Sequence, residues 1–426
     1  MTEAAEYRKM RDMSYAPFLA AAYLLWPIMG LLGGQGYAPL LVLAAIPAIF
    51  VARPGAKPAW YLLSAMAFVV WAILSEYWSP ASRGIATGNL LEGDFAVRSA
   101  GLRMALTLAF GTILIAGALR IANGRAQLSA RLTLGAFALQ GFLVILSVIL
   151  GGQVLPLIYG DDPQRIGEGI QNIGRNANAF ALVLPVLVAY LMVRPAMAWK
   201  GLACLVTLVS VVAFARIDAS AAMIGAVLML AAFAIVRLYP RNGLRALFLA
   251  VSGYVALAPL LIGGLIFGLA KAGISLPGSF QSRAWSWEVV IGKIQQAPVF
   301  GHGIEASKTW RETYADHPDW LAQLPDFWAQ YPVVPGHPHN MALQIWGETG
   351  AVGAAFAALT IGLIGWRLPP ATELRGDIGY AIAGMLAVAT CLFSFSYSVW
   401  NEAFWASLVL AVGSIILLSR RERASL

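Results

Sequence analysis

The chain has 426 residues, of which 59% are hydrophobic and only 12% are charged, and its formal net charge is +8. Because an average soluble domain carries about 25% charged residues, this composition excludes an ordinary soluble protein. A helix that crosses the ~30 Å hydrocarbon core of a membrane needs about 20 residues, most of them apolar. The composition therefore predicts a protein that crosses a membrane many times.

Twelve apolar runs, taken in chain order, have about this length. They span residues 15–34, 37–52, 59–78, 101–120, 132–151, 177–193, 199–215, 219–237, 246–268, 348–366, 377–398 and 404–419. Several contain glycine or proline, which helices in lipid tolerate better than soluble helices do. The second run, with Pro39 and Pro47, is the least regular. We therefore predict an all-α, polytopic membrane protein with about 12 transmembrane helices.

The basic residues are distributed unevenly between the two sides of this predicted bundle. If the N-terminus lies in the cytoplasm, the inner loops and both termini hold most of the 29 basic residues and few of the 21 acidic ones. Short cytoplasmic loops collect Lys and Arg, so the bias predicts that both termini are cytoplasmic. The terminal basic groups are Arg8, Lys9 and Arg11, and Arg420, Arg421 and Arg423. The positive charge therefore indicates topology, and it does not indicate nucleic-acid binding.

The predicted outer loops are longer than the inner ones. The longest spans residues 269–347, and shorter ones span about 79–100 and 152–176. The longest loop divides the chain into helices 1–9 with short loops (residues 1–268), a large periplasmic loop (residues 269–347), and helices 10–12 (residues 348–426). This unevenness indicates that the outer side carries the function.

Part of the large outer loop has the pattern of a helix. The stretch SRAWSWEVVIGKI places Trp287, Val290, Ile291 and Ile294 on one helical face, with Arg283 at the helix start. Tryptophan is favoured at membrane interfaces, so we predict a partly helical periplasmic cap that lies along the membrane surface. An aromatic belt on a loop without further function is the alternative interpretation.

Two of the four histidines lie in HPHNMALQIWGETGAVG, residues 337–353, where the large loop meets an apolar run. Pro338 suits the first turn of a helix, which places His339 and Asn340 at a helix N-terminus near the outer membrane face. The exposed N–H groups and the helix dipole attract anions there and disfavour an imidazolium. A neutral imidazole beside an anion site is a suitable general base. A capping histidine without chemistry is the alternative.

The spacing within this stretch is similar to a family signature. His339-Asn340 is followed after nine residues by Gly350-Ala-Val-Gly353. This resembles the His-[Asn/Ser/Gln]-x9-Gly-x-x-Gly pattern of the O-antigen ligase and polymerase superfamily, a group of multi-span glycosyltransferases. The position of the pattern, at the end of the large outer loop, also resembles the family.

Two further stretches carry the resemblance, which covers residues 174–353. RAWSWEVVIGKIQQAPVFGHG, from Arg283, is similar to the family's Arg-x3-Trp segment followed by Pro and a Gly-x-Gly turn. GRNANAFALVLPVLVAYL, from Gly174, resembles the Asn-containing start of a mid-chain span. The chain departs from the family at the eighth span, where FARIDASAAMIGAV places Arg216 slightly before the family's Ser-Arg-Gly-like element. Before residue 150, only the hydropathy matches.

The resemblance implies a GT-C-like membrane glycosyltransferase whose donor is a glycan on undecaprenyl pyrophosphate. It implies His339 as the base that activates an acceptor hydroxyl, and Arg216 and Arg283 as catalytic clamps on the departing pyrophosphate. Guanidinium groups suit this role because they bind phosphate oxygens two at a time. Further contacts with pyrophosphate or glycan are expected from Arg175, Asn178, Lys293, Trp287, His337, Asn340 and Glu348.

Simpler roles remain open for several of these residues. A single arginine near a helix end usually extends to the membrane interface, and Arg216 is also placed to pair with Asp218. His337 is an alternative to His339 or shares its work. A metal would need clustered ligands, and the candidates His302, His317, His337, His339, Asp316 and Asp319 show no repeated ligand spacing. We therefore expect no metal or other cofactor, and a single displacement that inverts the anomeric configuration.

The acceptor distinguishes three activities that the resemblance allows. Transfer to lipid A–core oligosaccharide is O-antigen ligation, transfer to another polyprenyl-linked repeat is polymerisation, and transfer to serine or threonine is protein O-glycosylation. About twelve spans, one late outer loop and no long C-terminal extension resemble the ligase most. A lipid-linked-sugar transporter is the alternative from another class, but it would need charges deep in the membrane. We expect a Gram-negative inner-membrane protein, active at its periplasmic face.

Overall fold

A computed structural model describes residues 14–51, 59–82, 97–160, 162–274, 276, 278–318 and 326–421 of the chain. The terminal residues Arg8, Lys9, Arg11 and Arg423, and the metal candidate Asp319, lie outside the described residues. The described residues form thirteen α-helices, and Thr313 and Pro332 form an isolated β-bridge. The protein is therefore nearly all helical.

The helices follow one another along the chain with mostly short connections. They are α1 (Ala16–Leu31), α2 (Tyr37–Ile49), α3 (Trp60–Ser75), α4 (Ala100–Leu119), α5 (Gln127–Tyr159), α6 (Pro163–Met192), α7 (Met197–Arg216), α8 (Ser220–Leu238), α9 (Gly243–Lys271), α10 (Gly278–Gln296), α11 (Met341–Arg367), α12 (Gly376–Phe395) and α13 (Glu402–Ser419). Among the described residues, α4–α9 and α11–α13 have the length and apolar composition to cross a membrane, and α1–α3 are apolar but shorter.

Each of the twelve predicted apolar runs coincides with one helix, which confirms the expectation of a polytopic all-α membrane protein. The remaining helix, α10, lies in the segment 269–347, where the described residues also form three short 3-10 helices. These are Ala306–Thr309, Tyr314–Asp316 and Asp326–Gln330. The helix begins at Gly278, so Arg283 lies in its second turn and not at its start.

Two helices begin well before their apolar runs because polar residues cap them. Asp162 caps α6, and its side chain accepts hydrogen bonds from the backbone N–H groups of Gln164 (3.0 Å) and Arg165 (3.3 Å). Asn340 caps α11 in the same way, with a 3.0 Å bond from the N–H of Leu343. The expectation that Pro338 lies in the first turn is therefore wrong, since a cap lies outside the helix that it closes.

Small residues allow these helices to pack closely. α12 packs against α8 and α6, and α11 packs against α9 and α3. At one such contact, a Cβ on Gly384 of α12 would lie 2.6 Å from the ring of Phe233 and 2.8 Å from the side chain of Met229. In lipid, glycine at such contacts lets helix axes approach closely and gain van der Waals contact.

The helix α11 is broken at Gly350, whose φ of 65° and ψ of −168° are not helical. The backbone groups that the break leaves unpaired bond to the segment 298–303. The N–H groups of Ala351 and Val352 donate to the carbonyls of Pro298 (2.9 Å) and Val299 (3.3 Å). In return, the N–H groups of residues 302 and 303 donate to the carbonyls of residues 347 and 348, at 2.9 and 2.8 Å. Buried backbone groups need such partners, so this pairing is what makes the break tolerable.

The break also changes the direction of α11. The hydroxyl of Ser252 donates to the carbonyl of Ala358 (2.7 Å), while the hydroxyl of Tyr254, two residues further on, accepts from the Asn340 amide (3.0 Å). In a straight helix, residues 340 and 358 would be separated by about 27 Å, at 1.5 Å per residue. One tyrosine side chain cannot span that distance. The N-terminal half of α11 (residues 341–349) therefore turns back towards α9 at Gly350.

At the other end of the bundle, a buried carboxylate holds the last helix. Asp377 lies at the start of α12 and is 3% exposed. It pairs with Arg421, which follows α13, and with the Nε atom of Arg375 at 3.4 Å. The Arg421 guanidinium also lies 4.8 Å from the centre of the Tyr190 ring. This cluster joins α6, α12 and the end of α13 far from the histidines.

Candidate active site

The two histidines lie at the end of the bundle where α12 ends and α13 begins, which we call the site end. His339 directly precedes the capping residue of α11 and has a φ of 50°, in the left-handed region. Left-handed backbone at a residue other than glycine costs about 1–3 kcal/mol and persists only where the surroundings enforce it. Here the Trp287 indole donates a 2.9 Å hydrogen bond to the carbonyl of Pro338. Trp287 is 8% exposed, so this bond is protected from water.

Both imidazoles face the backbone carbonyl of Ser396, the residue after α12. The Nδ1 atom of His339 lies 3.3 Å from this oxygen and the Nε2 atom of His337 lies 3.5 Å from it, with 4.3 Å between the ring centres. A carbonyl oxygen only accepts, so the nitrogen that bonds to it must carry the hydrogen. In a neutral His339, the lone pair is then on Nε2, which is the nitrogen free to act as a base.

Burial keeps both histidines neutral. It lowers the pKa of His337 to about 4, with a further contribution from the neighbouring His339. Burial also lowers the pKa of His339, the positive charge of Arg283 lowers it further, and the Ser396 carbonyl opposes both effects. Arg283, on α10, therefore lies close enough to His339 to act on it electrostatically. Its guanidinium lies 5.9 Å from the centre of the Phe280 ring, and burial lowers its own pKa.

Asn340 has both ends of its side chain engaged and is 1% exposed. Its oxygen caps α11, and its nitrogen donates to the hydroxyl of Tyr254, which also accepts from Ser394 at 3.1 Å. Asn340 therefore fixes the start of α11 against α9 and α12. A contact of this side chain with substrate stays a prediction.

The connection between α12 and α13, residues 396–401, lies along the N-terminal half of α11. Ser396 faces the histidines, and Gln344 bonds to the hydroxyl of Ser398 (3.1 Å) and to the N–H of Val399 (2.9 Å). One helical turn further on, Glu348 accepts from the indole of Trp400. These hydrogen bonds hold residues 398–400 of the connection against residues 344–348 of α11.

The same connection reaches the candidates on α6. The hydroxyl of Tyr397 lies close to the side chain of Asn178 and within electrostatic reach of Arg175. Arg175 itself donates to the side-chain oxygen of Asn172 at 3.1 Å. The connection 396–401 therefore joins the histidines on one side to Arg175 and Asn178 on the other.

Arg216 lies at the site end but away from these contacts. The helix α8 is antiparallel to α12, because Gly225 faces Cys391, whereas Phe233 contacts Tyr380 with 5.3 Å between ring centres. Arg216, which ends the preceding helix, is therefore level with the end of α12. It is exposed, and in the described structure it forms no ion pair with the equally exposed Asp218.

Three residues of the segment 269–347 that were candidates for binding are engaged within the protein. Lys293 forms an ion pair with Glu312, which lowers the pKa of that carboxyl. The Nε2 atom of His302 lies 2.9 Å from the carbonyl of Lys293, and the Nδ1 atom of His317 lies 3.1 Å from the carbonyl of Pro318. Across the described ranges, no three His, Cys, Asp or Glu residues are close enough together to hold a metal ion.

The connection 396–401 is the part of the site that sequence reasoning missed. It reads SYSVWN and its first residues were included in the apolar run 377–398. A cluster of polar and aromatic residues in a short connection between two apolar runs was the available signal. Nothing local in the chain, however, predicts that Ser396 meets a histidine 57 residues earlier.

Part of the chain matches a known protein family. A family model described as O-antigen ligase matches residues 205–358, from α7 to the C-terminal half of α11. The match includes Arg216, Arg283, His339 and the break at Gly350, and it ends before the connection 396–401. No curated protein matches the chain. The match supports the O-antigen ligase and polymerase superfamily for this segment, as the resemblance implied.

Proposed function

We propose that the protein is an O-antigen ligase that transfers a glycan from undecaprenyl pyrophosphate to a sugar hydroxyl of lipid A–core oligosaccharide. The observation that carries this proposal is the state of His339: a neutral imidazole with Nδ1 on the Ser396 carbonyl, Nε2 available, and the cation Arg283 nearby. A base and a fixed cation side by side suit a reaction that removes a proton at one atom and releases an anion at another.

The reaction is one displacement. The Nε2 atom of His339 accepts the proton of the acceptor hydroxyl as its oxygen attacks the anomeric carbon of the donor. The new carbon–oxygen bond forms while the bond from that carbon to the pyrophosphate oxygen breaks, and its electron pair leaves with the pyrophosphate. Attack from the side opposite the leaving group inverts the anomeric configuration.

The leaving pyrophosphate is stabilised by arginine. Arg283 acts electrostatically on His339, Arg175 acts on Tyr397, and exposed Arg216 lies at the same end of the bundle. Guanidinium groups stay charged and bind phosphate oxygens in pairs, which favours them for this role. Lys293 is a weaker candidate because its charge is already paired with Glu312. The carrier lipid lies in the bilayer, and the chemistry takes place at the periplasmic face of the inner membrane.

Transfer by the purified protein tests this proposal. The protein would be incubated with polyprenyl-pyrophosphate glycan and lipid A–core, with and without EDTA, and glycan-bearing lipid A–core would be measured. Loss of a general base typically costs 10²–10⁴-fold, so His339→Ala should lower the rate by at least about 100-fold. Arg216→Ala and Arg283→Ala should also slow transfer. Arg245→Ala is the matched control and should leave the transfer rate unchanged. It removes a cation packed 4.5 Å from the centre of the Trp366 ring.

The outcomes separate the alternatives. Glycan that lengthens on its own carrier would make the protein a polymerase. Loss of transfer in EDTA would refute the metal-independent displacement, and a larger loss in His337→Ala than in His339→Ala would exchange the roles of the two histidines. Folded protein that transfers glycan to no acceptor would refute the assignment as a transferase.

A further inference from the structure

The carboxylate of Glu348 has an unusual environment among the described residues. It lies in α11 two residues before the break, is fully buried, and accepts hydrogen bonds from five donors. These are the backbone N–H groups of Glu305 (2.7 Å) and Ser307 (3.4 Å), the hydroxyl of Ser307 (2.6 Å), the amide of Gln344 (3.1 Å) and the indole of Trp400. None of the five is a cationic side chain.

The donors come from three separate segments: the cap residues 305–307, the N-terminal half of α11, and the connection 396–401. A buried carboxylate must have its oxygens satisfied, because an unsatisfied charged group in the interior is costly. Each of the three segments is therefore held within hydrogen-bond distance of the Glu348 carboxylate. Since all five donors are protein groups and the side chain is fully buried, Glu348 acts through its neighbours and not by touching substrate.

One path leads from Glu348 to the acceptor of the His339 hydrogen bond. Trp400 and Gln344 bond to Glu348, and Gln344 also bonds to Ser398 and Val399. The connection therefore contacts this stretch at three successive places: Ser396 at His339, Ser398 and Val399 at Gln344, and Trp400 at Glu348. Fixing Trp400 at Glu348 thus helps to hold the Ser396 carbonyl at His339.

A second path leads to the backbone before the histidines. The hydroxyl of Ser307 lies 2.6 Å from the Glu348 carboxylate and 2.9 Å from the carbonyl of Gly336, so its single hydrogen is shared between these two acceptors. Gly336 directly precedes His337 and has a φ of 87°. Glu348 is thus connected both to the group that orients the histidine rings and to the chain that carries them.

We infer that Glu348 is a positioning residue, which holds the Ser396 carbonyl against Nδ1 of His339 and so keeps the lone pair of that ring on Nε2. This inference rests on the proposed function only in taking His339 as the base. The arrangement itself can be measured without any substrate.

The tautomer of His339 gives a readout that is independent of activity. Protein labelled with ¹⁵N in its histidine rings would be examined by NMR, and each ring assigned by its loss in a His→Gln variant. Wild type should show His339 with the hydrogen on Nδ1. Glu348→Gln replaces one acceptor oxygen with an NH2 group, which then faces the hydrogen-bond donors around residue 348. Trp400→Phe removes only the indole N–H donor. Both should shift His339 towards a mixture of tautomers, because the Ser396 carbonyl is no longer held.

Asp377→Asn is the matched control, since it also neutralises a buried carboxylate but lies at the opposite end of the bundle. It should leave the His339 tautomer unchanged. In transfer assays, Glu348→Gln and Trp400→Phe should each lower kcat by about 10- to 100-fold, the range expected for a small misplacement, with KM within about threefold. Because they act on one connection, the double variant should be scarcely slower than the slower single variant.

Wild-type tautomer in both variants, with only the thermal midpoint lowered as in Asp377→Asn, would overturn the inference. If Glu348→Gln does not fold, Trp400→Phe and Ser307→Ala, which each remove one donor side chain, decide the matter by the same readout. A tautomer shift together with full activity of His339→Ala would keep the positioning role and refute the proposed function.

Discussion

The break in α11 can be tested by adding one carbon atom. In Gly350→Ala, the new Cβ would lie 2.2 Å from the carbonyl oxygen of Val299, 2.4 Å from its carbon and 2.6 Å from the nitrogen of Gly301. All three are backbone atoms, so no side-chain rotation relieves the contact. The φ of 65° with a ψ of −168° lies in a region that essentially only glycine adopts.

The expected loss of stability follows from these contacts. Forcing alanine into this conformation costs about 1–3 kcal/mol. Moving the segment 298–303 away weakens four backbone hydrogen bonds across the break, each contributing about 0.5–1.5 kcal/mol. Depending on how many are lost, the total is about 3–6 kcal/mol. A loss of this size should lower the thermal midpoint in detergent by at least about 5 °C.

The matched control is Gly253→Ala in α9, the helix that packs against α11. No atom lies within 4 Å of the Cβ that this substitution adds. Its effect should stay within about 1 kcal/mol, the usual difference between glycine and alanine in a helix. Gly350→Ala should also slow transfer at least tenfold, because the bend at residue 350 carries His339 to Ser396. If the two variants have the same midpoint and the same rate, the account of the break is refuted.

Two further predictions concern charge. The base is active when neutral, and burial and Arg283 lower the pKa of His339 below 6.5, so the rate should fall only as the pH drops below that value. In Arg283→Gln this acid limb should move to higher pH, and an unmoved limb in a pH–rate profile would exclude the electrostatic contact. Asp377→Asn leaves Arg421 buried without its carboxylate and should cost about 3–5 kcal/mol in thermal unfolding. Its transfer rate per folded molecule should equal that of wild type, and a lower rate would show that the two ends are coupled.

The features of this protein that depend on short stretches of the chain could be predicted from its sequence. Helix positions follow from apolar runs, because each helix satisfies its own backbone hydrogen bonds and needs only an apolar surface to lie in lipid. The histidine stretch, and Gly350 as part of the family pattern, were also visible, since this pattern spans only residues 339–353. The face of α10 that holds Trp287, Val290 and Ile294 was predicted from helical spacing, and all three side chains are buried.

The partners of these residues were decided only by the tertiary structure. Trp287, Asn340 and Glu348 were expected at the substrate, yet each has its polar atoms bonded to the protein. Their hydrogen bonds join residues 51, 86 and 52 positions apart, and no periodicity reports such pairs. The sequence by itself therefore determined which helices form and which histidine to examine. The bend at Gly350 and the connection 396–401 determined where that histidine points. Residues at the ends of different helices are brought together by helix packing, although they lie far apart in the sequence.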